Sequence, residues 1–361
     1  MFFNIYWLSE YHLIGDIIKK YIISLVAALL IFMLFFKSNK ISALEFIDTA
    51  SSTILMDTDN NRVLYENNVN EQFLTASIAK VLTCIVAIEY GDLNKICYVN
   101  EETINQIGSS IYLKLNDKIY LKDLLYGLML RSGNDAAYLI SVNVCNTVED
   151  FVCLMNKTAK NLKMYNSNFE NPSGLDEKTK NYSTAYDMGL LMSYCIKNKT
   201  FLEITSRESY NFTSLNNNKY YFRNKHKLIR SNKYCISGKT GYTELAKRTL
   251  ISVFKKNNIT VVVVTFNCGN DWNLHEDLFE YSLNNFENKI FIKKGILNYN
   301  MINHDVTPII YEDVSYVIKN DENIRCDIEF LKNIKNERII GIIKLYLNNI
   351  VVKEIYIYRY Y

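Results

Sequence analysis

The chain has 361 residues, of which 49% are hydrophobic and 22% charged, with a formal net charge of +3. That length gives room for two or three domains with a sizeable core, and the balance is that of an ordinary globular protein. The positive excess is too small, and the lysines too scattered, to form a basic stripe, so no nucleic-acid partner is expected.

The N-terminal stretch stands apart. Lys19 and Lys20 precede an uncharged apolar run from Tyr21 to Phe36, and Lys37 and Lys40 follow it. A surface helix of a globular protein is apolar along one stripe only. In length the run falls between a signal-peptide core and a full membrane span. Residues 1–43 are therefore expected to be a signal peptide cut after Ala43, or an uncleaved anchor that ties the protein to the membrane. Either way the remainder is expected outside the cytoplasm.

Next, "STILMD" and "NNRVLYEN" read as two strands about an Asp-Asn-Asn turn. "SIAKVLTCIVAIEYG" has helical spacing, with Thr75 and Ser77 available as caps and Gly91 as a stop. "LKDLLYGLMLRSGNDAAYLISVNVC" reads as two helices broken at Ser132-Gly133-Asn134, and "VEDFVCLMNKTAKNLKM" as another. "NPSGLD" is a turn cluster. From about Tyr234 the period changes. "KYCISGKTGYT" and "RTLISVFKKNNITVVVVTFNC" predict consecutive antiparallel strands with a turn at "KKNN", and "WNLHEDLFEYSLNNF" returns to helix. Residues 287–361, rich in Ile, Val and Tyr, predict a small, separate all-β domain ending in a hairpin about Asn348-Asn349.

The 8 cysteines are widely and irregularly spaced with no C-x-x-C pair, and several lie in apolar runs. They read as small buried hydrophobes, not a disulfide framework or a metal site. His275 opens "HEDLF", which lacks the second His of a zinc-protease motif. No metal and no cofactor is expected.

Three short motifs stand in order: Ser77-Ile78-Ala79-Lys80, Ser132-Gly133-Asn134 and Lys239-Thr240-Gly241. S-x-x-K recurs at Ser252 to Lys255, and S-x-N recurs at Ser141, Ser214 and Ser282. Geometry separates the copies. Residues i and i+3 share a helix face but oppose each other on a strand, so Ser77 and Lys80 can meet while Ser252 and Lys255 cannot. A serine hydroxyl is a weak nucleophile until a neighbour takes its proton. Lys80 can do so when neutral, a state favoured by burial, a helix N-terminus and a second cation such as Lys239. Ser132 can relay the proton to a leaving amine. The backbone N–H groups of Ser77 and Tyr242 can form an oxyanion hole. Lys239 and Thr240 can hold a carboxylate, with Gly238 and Gly241 letting the strand approach a ligand. The stretch is not a phosphate-binding loop, because G-x-x-x-x-G-K-[ST] is absent.

S-x-x-K, S-x-N and K-T-G in this order resemble the penicillin-binding proteins and serine β-lactamases. The flanks resemble the low-molecular-mass penicillin-binding proteins that are serine D-alanyl-D-alanine carboxypeptidases. "TASIAKVLT" is similar to that family's PASxTKxMT block, "LLYGLMLRSGNDAA" to LLxGLMxxSGNDAA, and "GKTGYTELAKRTL" to GKTGYTxxAGRxL. The likeness runs from about Ala50 to Phe286. Thr75 stands where proline is usual, Ala79 where threonine is, and Lys247 where glycine is.

The resemblance implies an α/β (α+β) fold: an antiparallel sheet flanked by helices with a helical subdomain, here residues 44–286. It implies Ser77 as acyl-ester nucleophile, Lys80 as base and Ser132 as proton relay. It also implies Asn134 as a contact to the substrate amide and Lys239 and Thr240, beside Tyr242, as the terminal carboxylate site. The implied substrate is a peptidoglycan stem peptide ending in D-Ala-D-Ala, with β-lactams as covalent inhibitors. A serine β-lactamase would need a further base for deacylation, and Glu170 is the one candidate. An inert envelope scaffold on the same fold is the non-enzymatic alternative, although every motif side chain is intact.

Overall fold

The computed structural model describes residues 19–26, 46–298, 306–331 and 337–361. The chain divides into two units, 1–45 and 46–361. In the first, residues 19–26 are helical and exposed. The rest of the apolar run and the cleavage position after Ala43 lie outside the described residues. Among the described residues no single helix is long and apolar enough to cross a membrane.

The second unit is organised by a five-stranded antiparallel sheet. Its strands are β1 (Ser52–Asp57), β2 (Val63–Asn67), β3 (Cys235–Thr243), β4 (Lys247–Lys256) and β5 (Ile259–Phe266), in the order β2-β1-β5-β4-β3. β4 and β5 turn about Asn257 and Asn258, whose φ values of 52° and 62° suit a type I′ hairpin. β5 is apolar nearly throughout and wholly buried, because both faces of the sheet are covered. One face (Ile54, Met56, Ile251, Val253, Val262, Val264) packs on helix α1 (Lys80–Tyr90) and the helical layer. That layer includes α2 (Asn134–Cys145), α3 (Val148–Asn161) and α4 (Ala185–Cys195). The other face (Leu55, Phe254, Val261, Val263) packs on Leu274, Leu278 and Phe279 of helix α5 (Asp271–Asn285). Thr147 and Thr184 cap α3 and α4 through their hydroxyls, which accept from Asp150 N and Asp187 N.

The start of α1 differs from expectation. Ala76–Ala79 is a separate 3₁₀ turn entered by Ala76 at φ 46°, and neither Thr75 nor Ser77 caps it. Thr75 instead accepts a bond on its carbonyl from the Thr249 hydroxyl of β4. The turn is thus held by the sheet. Gly91 follows α1 in an extended conformation, and a Cβ there would lie 2.7 Å from Ala87 O.

From Phe286 onward the chain forms further sheets. β6 (Phe286–Ile292) pairs with Val314–Lys319, and a second sheet includes Ile324–Phe330, Ile339–Leu347 and Ile350–Tyr360. The last two turn at Asn348 and Asn349, with φ 51° and 65°. This region has its own apolar cluster. Arg62 of the central sheet's edge clasps it, donating to both Glu322 carboxylate oxygens at 2.6 and 2.8 Å and to Val317 O at 2.6 Å. All 8 cysteines are free thiols, and Cys84, Cys97, Cys195, Cys235 and Cys268 are buried.

Candidate active site

Lys80 is the first residue of α1, one turn beyond Ser77, and the i, i+3 pair meets: Lys80 Nζ lies 3.0 Å from Ser77 Oγ. The amine is fully buried. Its other partners are Asn134 Oδ1 at 2.8 Å and the carbonyl of Ser173. Asn134 Nδ2 donates to Ile107 O at 2.6 Å, which fixes the amide with its oxygen toward the lysine. This count is informative. Asn134 Oδ1 and Ser173 O can only accept, so they use two N–H bonds of Lys80. As an ammonium Lys80 donates its third N–H to Ser77 Oγ; once neutral it keeps two N–H bonds for the other acceptors, and its lone pair then faces the Ser77 hydroxyl proton.

The loop carrying Ser173 is held against the Ser77 turn. Thr83 Oγ1 donates to Pro172 O at 2.7 Å. Gly174, at φ 80°, leaves no room for a side chain, since a Cβ would sit 1.8 Å from Ala76 O.

The second wall is the break before α2. A π-helical turn over Gly127–Arg131 ends at Ser132, whose φ of 65° turns the chain and lets Asn134 begin α2. Ser132 Oγ accepts from Lys239 Nζ at 2.9 Å, and Lys239 also donates to Thr240 O at 2.7 Å. Lys239 lies on β3, the edge strand, opposite Ile251 of β4, so it shares the face that carries the helical layer. Gly241 is on the same face, where a Cβ would approach Ser77 N at 3.0 Å. Ser77, Lys80 and Asn134 thus form one hydrogen-bonded group and Ser132 and Lys239 a second, near enough that the Lys80 charge acts on Lys239. Thr240 and Tyr242 alternate to the other side of the strand, half-buried and exposed respectively, and stand at the rim. The second S-x-x-K does not assemble: Ser252 is buried and Lys255 is exposed on β4.

Burial lowers the Lys80 amine to about 7, helped by the positive charge of Lys225. Lys239 is also driven well below its ordinary value, by burial, then by Lys80 and Lys225. Buried cations this close repel one another, so the cluster favours a neutral amine at Lys80.

A search of family models matches residues 39–270 to the D-alanyl-D-alanine carboxypeptidases. The chain belongs to this family. It is 32% identical over 227 residues to D-alanyl-D-alanine carboxypeptidase DacF of Bacillus subtilis, a match covering 62% of this chain and 58% of that one. It is 30% identical over 259 residues to DacC of Escherichia coli, covering 68% and 64%. The match thus spans less than two thirds of either relative. The structure of penicillin binding protein 5 from Haemophilus influenzae shares the fold, with a TM-score of 0.72 at 22% identity, over 87% of this chain and 97% of that one. A D-alanyl-D-alanine carboxypeptidase structure from Mycobacterium tuberculosis gives 0.62 at 27% identity over 65% and 91%.

Two features of this carboxypeptidase-family chain escaped the sequence reading. Lys225 comes from a segment to which no element was assigned. Its ammonium donates to Ser109 Oγ at 3.2 Å and its backbone N to Leu130 O, which brings it beside the cluster. The other feature is a buried polar chain beneath β3. His226 Nδ1 accepts from Ile229 N, so its Nε2 carries the proton and donates toward Ile251 O at 3.0 Å and Ser252 Oγ at 3.1 Å. The Ser252 hydroxyl then donates to His275 Nδ1 at 2.8 Å, and His275 Nε2 to Thr265 Oγ1 at 3.0 Å. Each donor finds an acceptor only if both imidazoles are neutral. Burial enforces this, lowering His226 to about 3 and His275 well below its ordinary value. His226 also fills the space that Gly238 leaves open, where a Cβ would meet its Nε2 at 2.4 Å. The sequence carries a signal for it in the period-2 placement of Ser252 on the buried side of β4.

Proposed function

We propose that this protein is a serine D-alanyl-D-alanine carboxypeptidase acting on peptidoglycan stem peptides outside the cytoplasmic membrane. The observation that carries the reading is the saturated environment of Lys80, which leaves its lone pair for Ser77. In the acylation step Ser77 Oγ attacks the penultimate D-alanine carbonyl while Lys80 takes the hydroxyl proton. The peptide C–N bond breaks, and the departing amine of the terminal D-alanine receives a proton through Ser132. Water then cleaves the Ser77 ester, with Lys80 again accepting a proton, and Ser77 is regenerated. Lys239 receives the terminal carboxylate, with Thr240 next to it at the rim of the strand. The backbone N–H groups of Ser77 and Tyr242 polarise the scissile carbonyl. Asn134 orients Lys80, and the second lone pair of its Oδ1 is free for the substrate amide. β-Lactams acylate the same serine. Residues 1–43 export the chain, 44–286 form the catalytic domain and 287–361 the C-terminal β domain.

The β-lactamase alternative is disfavoured by Glu170. Its carboxylate accepts from Lys180 N at 2.7 Å, the residue is exposed, and it makes no hydrogen bond to Ser77 or Lys80. The test is incubation with a peptide ending in D-Ala-D-Ala. Stoichiometric release of D-alanine by the protein, lost in Ser77→Ala, is expected. Absence of release together with rapid turnover of penicillin would establish the β-lactamase instead.

A further inference from the structure

Beside the cluster, and not part of it, lies a cavity of about 450 Å³ between a β-hairpin and a loop. The hairpin is Ser209–Thr213 with Lys219–Arg223. Along its second strand Tyr220 and Phe222 turn inward, while Lys219, Tyr221 and Arg223 face solvent. The loop contributes Tyr112 and Lys114, and Arg131, the residue before Ser132, also lines it. Lys114 Nζ is held by Asn218 Oδ1 at 2.8 Å. No carboxylate lines this groove. Among the described residues none of these four cations is ion-paired. Four cations along one groove without a lining counter-charge give it a positive field that suits an anion.

The loop wall is built, not adventitious. The buried Asp135 carboxylate accepts from Ile111 N, Leu113 N and Ser110 Oγ, so the loop is pinned to the first turn of α2, next to Asn134. Tyr112 sits in the left-handed region at φ 59°, an uncommon place for a bulky residue, and its ring is 79% exposed. Tyr221, on the opposite wall, is 68% exposed. Paired exposed tyrosine rings suit the flat faces of a sugar, and arginine forks suit carboxylates. The groove also touches the active site. Arg131 precedes Ser132; Lys225 is lowered by burial and then by the Arg131 charge, and Lys80 by burial and then by the Lys225 charge.

We propose that this groove is a second binding site of the same enzyme, for the acidic, sugar-linked part of the wall peptide whose far end is cut at Ser77. This rests on the carboxypeptidase reading for the identity of the substrate. The groove grips free carboxylates of the glycopeptide through Arg131, Lys219 and Arg223, and packs the sugar on Tyr112 and Tyr221. Polymeric wall substrate is then preferred over a short neutral peptide with the same D-Ala-D-Ala end.

The probe is N-acetylmuramyl-L-alanyl-D-glutamate, which has no scissile D-Ala-D-Ala bond and so reports on the groove independently of D-alanine release. Calorimetric titration of the intact protein is expected to show saturable binding. That binding should weaken about tenfold or more in a Lys219→Gln/Arg223→Gln double variant, and likewise in about 0.5 M salt. The same probe with both carboxylates amidated should bind wild type as weakly as the variant. Both residues are exposed, so the variant should keep its unfolding midpoint. Arg223→Lys, which retains charge without the fork, should fall between wild type and the double variant. Absence of saturable binding, equal affinity for acid and amide, or an unchanged affinity in the variants overturns the proposal. Displacement of the probe by a polyglycerol phosphate at lower concentration overturns it too, by assigning the groove to a phosphate polymer. Failure of D-alanine release with binding intact would sink the catalytic reading and leave the groove standing.

Discussion

The titration of Lys80 offers the sharpest test of the catalytic geometry. If Lys80 is the base, the rate constant for acylation of Ser77 by a fluorescent penicillin follows the neutral fraction of that amine. With the amine lowered to about 7, that fraction is about a tenth at pH 6, about a half at pH 7 and about nine-tenths at pH 8. The rate should therefore rise about tenfold from pH 6 to pH 8 and then level. An unperturbed lysine, titrating near ~10.4, would give a hundredfold rise over the same interval and no plateau. Lys225→Met keeps the aliphatic stem and removes the second cause of the shift. Lys80 should then titrate higher, and the rising limb should move to higher pH with the plateau rate retained. The assay is stopped-flow or quenched labelling across pH 5–10. A wild-type profile flat over that range, or one climbing tenfold per unit to pH 10, would refute Lys80 as a base poised near neutrality. An unmoved limb in Lys225→Met would refute the electrostatic link alone.

Three further outcomes follow from named contacts. Lys239→Ala should slow cleavage of a free-acid substrate by roughly tenfold to a hundredfold beyond its effect on the C-terminally amidated peptide, the loss of one charge-assisted hydrogen bond; equal losses on both substrates would place Lys239 in proton transfer and not in recognition. Gly238→Ala puts a Cβ 2.4 Å from His226 Nε2 and 2.5 Å from Ile251 O, so β3 must shift. It should cost about 1–3 kcal/mol in thermal unfolding and slow acylation, since Lys239 is adjacent. Arg62→Ala removes an ion pair in which one guanidinium nitrogen reaches both Glu322 oxygens, partly exposed on both sides, at 13% and 22%. Screening by solvent holds the expected loss to about 1–2 kcal/mol, read as a lower unfolding midpoint and smaller at high salt.

Much of this protein was legible because its local rules agree with its tertiary ones. Both Asn-Asn turns sit where two strong strands must reverse, and both adopt positive φ as that dipeptide allows. The meeting of the motif side chains was legible for a related reason. Ser77 and Lys80 need only a helix to meet, and Ser132 and Asn134 need only a break at a glycine. The start of α1 was misread because the sheet, through Thr249, holds Thr75 and no side-chain cap is needed. The hairpin at residues 209–223 went unassigned although Tyr210, Phe212, Tyr220 and Phe222 alternate as strand residues should. Tyr210 stacks on Tyr126 at 3.6 Å, and Phe212 on Tyr220 at 4.9 Å. The charged and polar residues between them hid the inward face. Lys225, His226 and the basic groove were lost with that segment, since proximity across the fold has no signature in spacing.

The one-way run of donors from His226 through Ser252 to His275 and Thr265 has a polarity, and polarity can be spoiled. A proton added to either imidazole turns an acceptor nitrogen into a donor facing another donor, as His226 Nδ1 would face Ile229 N. The unfolded chain accepts that proton below about 6.5, whereas folded His226 resists it down to about 3. Stability from this source is therefore whole above pH 6.5, drains away as the medium acidifies, and is gone near pH 3. The floor of the Lys239 strand is thus an acid fuse. If Lys80 is the base, mild acid should halt acylation of Ser77 reversibly as that amine gains its proton, while stronger acid should loosen the fold beneath the strand that carries Lys239.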